Sequence, residues 1–360
     1  MRGYLRVVPD TEDDALGIST PECYVVHGIP AIRVESGHLI VEDGIPRGSR
    51  VRRISRIERT LKRIVIPARH GGMTFDSLDW LKSVGISLYV LRDGELMTAS
   101  TYSHQDAALL RSQARAIDKP IGLKITKYLL EHKLKGQAQV AGMLNEGTAA
   151  WIASKIPDIA HKTTIKSCGL LEGGVGKRYW EAWHDEPLYW VDNVREHWET
   201  FGNRHSELGG GQSPRYAANP ANAMLNYAYG VLEGEVTLAC WALGLNPILG
   251  ISHKDEAGRV SMAHDLMEPV RPVVDALLLD WMRTQTFRTT EFVESKTGVV
   301  RIKDGGRVFA DLVAIVRDAI TDRMAHFEWV AHRLVEEAEG KRTTKRTPLT
   351  QQNRKDGYYK

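Results

Sequence analysis

The hydrophobic period of the chain changes once, near residue 105, and that change decides its architecture. Before it come short runs of strand type, "CYVVHG", "AIRVES", "HLIVEDG", "RIVIPA" and "SLYVLRDG", separated by Gly, Pro and Asp turn signals. Between the last two lies "MTFDSLDWLKSVG", a predicted helix. Thr74 is its cap, Phe75, Leu78 and Leu81 form one stripe, and Gly85 is its stop. After Gln105 a helical period takes over in "DAALLRSQARAI", "IGLKITKYLLEHKLKGQAQVAGML" and "NAMLNYAYGVLEGEVTLACWALG". It continues in "SMAHDLMEPVRPVVDALLLDWM" and in "RVFADLVAIVRDAITDRMAHFEWVAHRLVEEAEG". The sequence therefore predicts an α+β protein. A mostly β domain spans 1–98, "ASTYSH" at 99–104 is a hinge, and a larger all-helical domain spans 105–340. "NRHSELGGGQSPRYAANP" at 203–220 is a Gly/Pro/Ser-rich loop expected to be mobile, and no internal repeat is found.

The 360 residues, 42% hydrophobic and 26% charged, suffice for two or three domains with sizeable cores. "MRGYLRVVPDTEDD" lacks the apolar run of a signal peptide, and no stretch approaches a membrane span. Cys23, Cys168 and Cys240 are scattered without ligand spacing, so a cytoplasmic, disulfide-free protein is the simplest expectation. The net charge of +3 hides an asymmetry: residues 341–360 carry seven Lys/Arg against one Asp. That basic, apolar-poor tail is expected to be flexible, either a solvated terminus or a partner for phosphates.

"EGGVGKR" at 172–178 imitates a phosphate-cradling loop. The full pattern needs Gly at 171 and Ser or Thr at 178, where this chain has Leu171 and Arg178, and the segment follows helix, not strand. Nucleotide hydrolysis is not supported.

A stronger signal lies in "SMAHDLMEPVRPVVDALLLDWM". Asp265 and Glu268 are three apart, hence neighbours on a helical face, and two carboxylates so close repel unless a proton or cation lies between them. Exposure, or capping at a helix start, is the structural alternative, and Pro269 and Pro272 fit a first turn or a kink. His253, ending the loop "NPILGISH", can fold back as a third ligand, whereas His264 is turned about 100° from Asp265. One imidazole and two carboxylates with open positions suit Mg²⁺ or Mn²⁺. Glu172 is a further acid, a cap or a ligand, before the Gly-rich turn "GGVG" and beside Lys177, Arg178, Tyr179 and Trp180. Asn222 and Asn226 share one helical face and are expected to scaffold the site or to form ordinary buried hydrogen bonds.

Together, "LLEGGVGKRYW", "ANPANAMLNYAYGVLEGEVTLACWALGLNPILGISH" and "RVSMAHDLMEPVRPVVD" resemble the CRISPR-associated integrase family, the DNA-cutting and joining subunit of spacer acquisition. "TFDSLDWLKSVGISLYVLRDGEL" and "RSQARA…LEHKLKGQ" extend the resemblance over most of the chain. The resemblance implies a β domain that forms a homodimer and a helical catalytic domain. It implies metal ligands at Glu172, His253 and Glu268, with Asp265 lining the same site. It also implies metal-dependent transesterification, in which a DNA 3′-hydroxyl attacks a phosphodiester of a repeat array. Cleavage of DNA and a small ferredoxin-like partner subunit come with it. Lys177, Arg178, Arg259 and Arg271 are then candidate phosphate contacts, and Tyr179 and Trp180 packing or stacking groups. Asp265 is left to accept a proton, to orient His253 or to join a second ion. A mobile-element integrase outside CRISPR and a non-catalytic DNA-binding scaffold are the rival expectations.

Overall fold

The computed structural model describes residues 23–26, 29–43, 50–58, 60–61, 63–66, 70–92, 95–100, 107–204, 216–303, 306–321 and 323–339. Two compact units divide the chain, Met1–His104 and Gln105–Lys360. Residues 101–104 of the expected hinge, most of the 203–220 loop and the basic tail lie outside the described residues, while Ala99 and Ser100 belong to a strand.

Among its described residues the first unit holds two four-stranded sheets. β1 (Cys23–Val25), β5 (Arg63–Ile66), β7 (Ser87–Arg92) and β8 (Glu95–Ser100) form one, parallel except for the β7–β8 hairpin. β4 (Arg50–Ile54), β3 (His38–Asp43), β2 (Ala31–Glu35) and β6 (Gly72–Met73) form the other. The β2–β3 turn is Ser36-Gly37, both at positive φ, which matches strand twist and pins Ala31 opposite Glu42. Helix α1 (Phe75–Val84) lies against strands of both sheets, and Ile32, Leu39, Ile64, Trp80, Leu81 and Leu88 share one core. Gly85 ends α1 in the left-handed conformation, as expected. The expected stripe is corrected: Phe75 is 85% exposed and Trp80 takes the inward place, its indole donating to Gly37 O at 2.8 Å. Thr74 stands at the cap, but its hydroxyl meets that of Ser77 instead of a helix N–H.

The second unit is helical. Its elements are α2 (Ala107–Arg115), α3 (Pro120–Leu144), α4 (Glu146–Lys155), α5 (Ile165–Trp183), α6 (Pro220–Ala242), α7 (Ser261–Met267), α8 (Arg271–Thr284), α9 (Arg307–Thr321) and α10 (Met324–Glu339). Two small ribbons add β9 (Tyr189–Trp190) with β10 (Thr286–Phe287), and β11 (Phe292–Glu294) with β12 (Val300–Ile302). Among the described residues, no helix is long and apolar enough to cross a membrane. Cys168 and Cys240 are buried free thiols.

Three expectations are revised here. "GGVG" is no turn: Gly173, Gly174 and Gly176 lie inside α5, because Cys168, Val175, Tyr179 and Trp183 form a buried stripe strong enough to carry them in helix. Glu172 is therefore a mid-helix acid, not a cap. The apolar segment 261–282 is two helices, interrupted at 268–270 where Pro269 has no N–H to continue the ladder. Pro272 sits in the first turn of α8, where a missing N–H costs nothing.

Pro272 also sets a distance. α3 packs on α8, and a Cβ added to Gly136 would come within 2.7 Å of the Pro272 Cβ, so the two helices meet at the smallest separation side chains allow. Val274, Leu278, Leu279 and Met282 anchor α8 in the core behind that contact. Gly136→Ala should cost about 1–3 kcal/mol through overpacking. Gly174→Ala, whose added methyl meets nothing, should stabilise by about 0.5–1 kcal/mol. Thermal melts of the two variants against the parent check this pair.

Candidate metal and phosphodiester site

The site is assembled by a loop folded around one buried carboxylate. Asp265, in α7, is fully buried. Its Oδ2 accepts the backbone N–H of Ile251 at 2.6 Å and of Ser252 at 3.0 Å. Its Oδ1 accepts the backbone N–H of His253 at 3.0 Å and faces His253 Nδ1 at 2.7 Å. The Gly/Pro-rich loop folds this way because every turn of it is tied down. Gln113 of α2 donates to the carbonyls of Asn246 and Leu249 and accepts from Asn246 N. Thr126 of α3 meets Ser252 through their hydroxyls, and Ser261 donates to Lys254 O.

With Nδ1 turned to Asp265, His253 points Nε2 toward Glu268, 3.8 Å from Oε1. Glu268 closes the C-terminal end of α7, with its side chain 5% exposed. Its Oε1 accepts from Arg271 Nη1 at 2.7 Å. Its Oε2 faces Lys133 Nζ, and that ammonium also donates to Glu172 Oε1 at 2.5 Å. Burial opposes the charge on Glu268, but Arg271, Lys133 and His253 more than offset it and hold its pKa down at about 2. Burial likewise works against the ammonium of Lys133, and the carboxylates of Glu268 and Glu172 prevail and raise its pKa. Lys133 is the member that sequence reasoning missed. It occupies the buried face of α3 with Ile125, Leu129 and Gln137, where a lysine is out of place unless acids surround it.

Glu172, His253 and Glu268 thus come together, and Asp265 joins them in a different role from a ligand. Both of its oxygens are engaged by donors, so of its three expected roles the geometry favours orienting His253. His264 turns to α6, its Nε2 2.7 Å from Glu233 and its Nδ1 accepting from Arg259 Nε at 3.2 Å. Arg259 stands beside that ring and Arg271 beside Glu268. Lys177 and Arg178, five and six residues on from Glu172, are ~140° and ~240° around α5 from it. They are exposed, and Arg178 lies over Trp151 at 4.7 Å. Asn222 donates to Phe201 O and Asn203 O, and Asn226 is half-buried one turn further along α6. Trp180 stacks on Phe201 and under Arg204.

Behind Arg271 lies a second buried acid that the sequence did not reveal. Asp275 accepts from the Tyr179 hydroxyl at 2.7 Å and the Tyr229 hydroxyl at 2.6 Å. Burial raises its pKa to about 6 against the pull of those hydroxyls and of Arg204 and Arg271. Tyr179 is accordingly a packing and hydrogen-bonding group with no ring face free for stacking.

Among the described residues, no three His, Cys, Asp or Glu side chains close on one point as a ready cage for a metal. The Lys133 ammonium standing between Glu172 and Glu268 accounts for this. The donors themselves, two carboxylates and an imidazole, fit Mg²⁺ or Mn²⁺, and the place between the two carboxylates already holds a cation.

Two measurements follow. Asp265→Asn offers one acceptor where four donors converge, and should cost about 2–4 kcal/mol in urea melts. For Asp275 the raised pKa fixes the sign: the folded state holds its proton more tightly than the unfolded chain, so this group costs stability as pH rises past 4 toward 6 and above. Relative to Asp275→Asn, the parent should therefore gain about 1–2 kcal/mol on going from pH 7.5 to pH 5, read as the difference between two pH-dependent melting curves.

Comparison with known proteins now bears on the same residues. The chain is 34% identical over 180 residues to a CRISPR-associated endonuclease Cas1 of Archaeoglobus fulgidus, 49% of this chain and 47% of that one. It spans about half the length of the curated relatives it matches. In fold it is similar to a CAS1 protein from Thermotoga maritima (TM-score 0.63, 15% identity, 89% of this chain and 98% of that one). It is also similar to a casposase bound to its integration product (TM-score 0.58, 19% identity, 89% and 97%). The sequence profile of the family described as CRISPR associated protein Cas1 matches residues 24–314, which takes in both units and every residue of the site, and the chain belongs to that family.

Proposed function

We propose that the protein is a metal-dependent DNA endonuclease and integrase that inserts short DNA duplexes into a CRISPR repeat array. The observation that carries the reading is that Glu172 and Glu268 share one cation position while His253, held by Asp265, stands beside Glu268 at 3.8 Å. Glu172, His253 and Glu268 would hold one Mg²⁺ or Mn²⁺. When bound, such an ion supplies Lewis-acid polarisation of a phosphate oxygen and lowers the pKa of the attacking hydroxyl or water.

The chain's own residues do the rest. Arg271, beside Glu268 and packed over the Tyr229 ring, is placed to meet a phosphate oxygen whose charge grows during the reaction. Arg259, steadied by His264, is a second candidate. Lys177 and Arg178 serve the flanking strand, because they lie off the face that carries Glu172. In strand transfer the 3′-oxygen of the incoming end bonds to phosphorus and the bond to the departing 3′-oxygen breaks. The proton lost by the nucleophile is matched by the one the departing oxygen gains. Asp265 positions His253 throughout and, with its oxygens occupied, does not receive that proton.

In the first unit Ile29, Val51, Ile57 and Phe75 remain exposed, apolar surface of the kind a second copy covers, which supports a homodimer through the β domain. A small ferredoxin-like subunit is the further partner that the family resemblance implies.

The test is strand transfer and nicking on a labelled duplex with Mn²⁺. Glu268→Ala and His253→Ala should each lose about 100-fold or more. Full activity in both variants would remove the site assignment, and DNA binding with no metal-dependent product would favour the scaffold reading. Deleting residues 341–360, which carry seven Lys/Arg, should flatten the salt dependence of DNA binding. An unchanged slope returns that tail to a solvated terminus.

A further inference from the structure

Lys133 raises a question that the proposed chemistry does not use. Its side chain is only 8% exposed, on the inward face of α3, and its Nζ lies between the carboxylates of Glu172 and Glu268. Those are two of the three groups assigned to the divalent ion. Arg271 supplies a second cation to Glu268 from the other side. The carboxylates of Glu172 and Glu268 are thus already matched by two cations, Lys133 and Arg271.

A divalent ion added between two acids already matched by cations would leave excess positive charge in a largely buried site, which is costly. Nor is there room: Nζ already touches one oxygen of each acid. Arg271 is held by α8, Tyr229 and Glu268, and Glu268 Oε1 is its partner, not the oxygen shared with Lys133. The long flexible arm of Lys133 is the part that can yield. We infer that Lys133 is an internal stand-in for the metal, an ammonium that keeps Glu172 and Glu268 together in the unloaded protein and that must swing out before the divalent ion can enter.

The inference rests on the metal reading above and makes a claim that reading does not: loading competes with an intramolecular cation. Removing that cation should therefore tighten metal binding, the opposite of what loss of a supporting residue does. It also gives Lys133 two addresses, one buried between the acids and one facing solvent or a phosphate.

The experiment is isothermal titration of Mn²⁺ into the full chain, parent and Lys133→Met, joined to amine labelling of the parent with and without Mn²⁺, read by mass spectrometry. Lys133→Met should bind Mn²⁺ about tenfold more tightly than the parent or better. Its melting temperature should fall in EDTA and be restored further by Mn²⁺ than the parent's is. In the parent, labelling at Lys133 should rise several-fold on Mn²⁺ saturation, while Lys135, half-exposed on the same helix, stays constant. The labelling arm needs no variant, so it decides the matter even where Lys133→Met does not fold. If the parent binds Mn²⁺ but Lys133 stays protected and Lys133→Met binds no more tightly, the stand-in role is overturned and the metal site survives. If the parent binds no Mn²⁺, the metal reading fails and takes this inference with it.

Discussion

Four N–H groups pointing at the carboxylate of Asp265 hold the site together. Three come from consecutive backbone amides, Ile251 to His253, and the fourth from the His253 ring. A buried carboxylate without donors costs several kcal/mol, and each charge-assisted bond is worth about 1.5–3 kcal/mol. The loop therefore has one low-energy path, the one that wraps this acid. His253 cannot be placed without Asp265, and without His253 the outer wall of the site facing Glu268 is missing. The ties from Gln113 and Thr126 hold the same loop from α2 and α3, so helices far apart in sequence hold one imidazole in register.

The charged centre is arranged in alternation. From the loop inward come an imidazole, the Glu268 carboxylate flanked by Arg271 and Lys133, then the Glu172 carboxylate. Behind Arg271 the Tyr179–Asp275–Tyr229 group continues the pattern with an acid whose proton affinity burial has raised. The guanidinium of Arg271 stands between two acids of different character, one held charged by its neighbours and one that burial pushes toward neutrality. The charge of the site is thus a balance among side chains of several helices and one loop.

Much of this was legible beforehand, and the reasons for the exceptions are physical. The change of period near residue 105 marked the passage from a strand-rich to a helical region, because alternation and 3.6-residue spacing are strong signals in long runs. Glu172, His253, Asp265 and Glu268 were legible as residue types in an ordered set. Lys133 was not, since a lysine in an amphipathic helix reads as surface and only the neighbouring helices reveal acids around it. Asp275 was hidden likewise among the apolar residues of α8. "GGVG" misled because local glycine content was weighed against a buried stripe, Cys168 to Trp183, that extends well beyond it. Phe75 misled because the inward face of α1 is set by Trp80, whose indole finds a carbonyl 43 residues away in sequence.

The contact between Gly136 and Pro272 has a consequence for how such a chain can drift. The helix bearing the ammonium and the helix bearing the guanidinium meet where one residue has no side chain and the other a rigid ring. The spacing of a charged centre is thereby encoded by two uncharged residues that never touch it. A lineage that enlarges position 136 must shrink position 272 in step, or let the charges part. In sequence comparisons the two should travel as a pair, though neither would draw notice as part of an active centre.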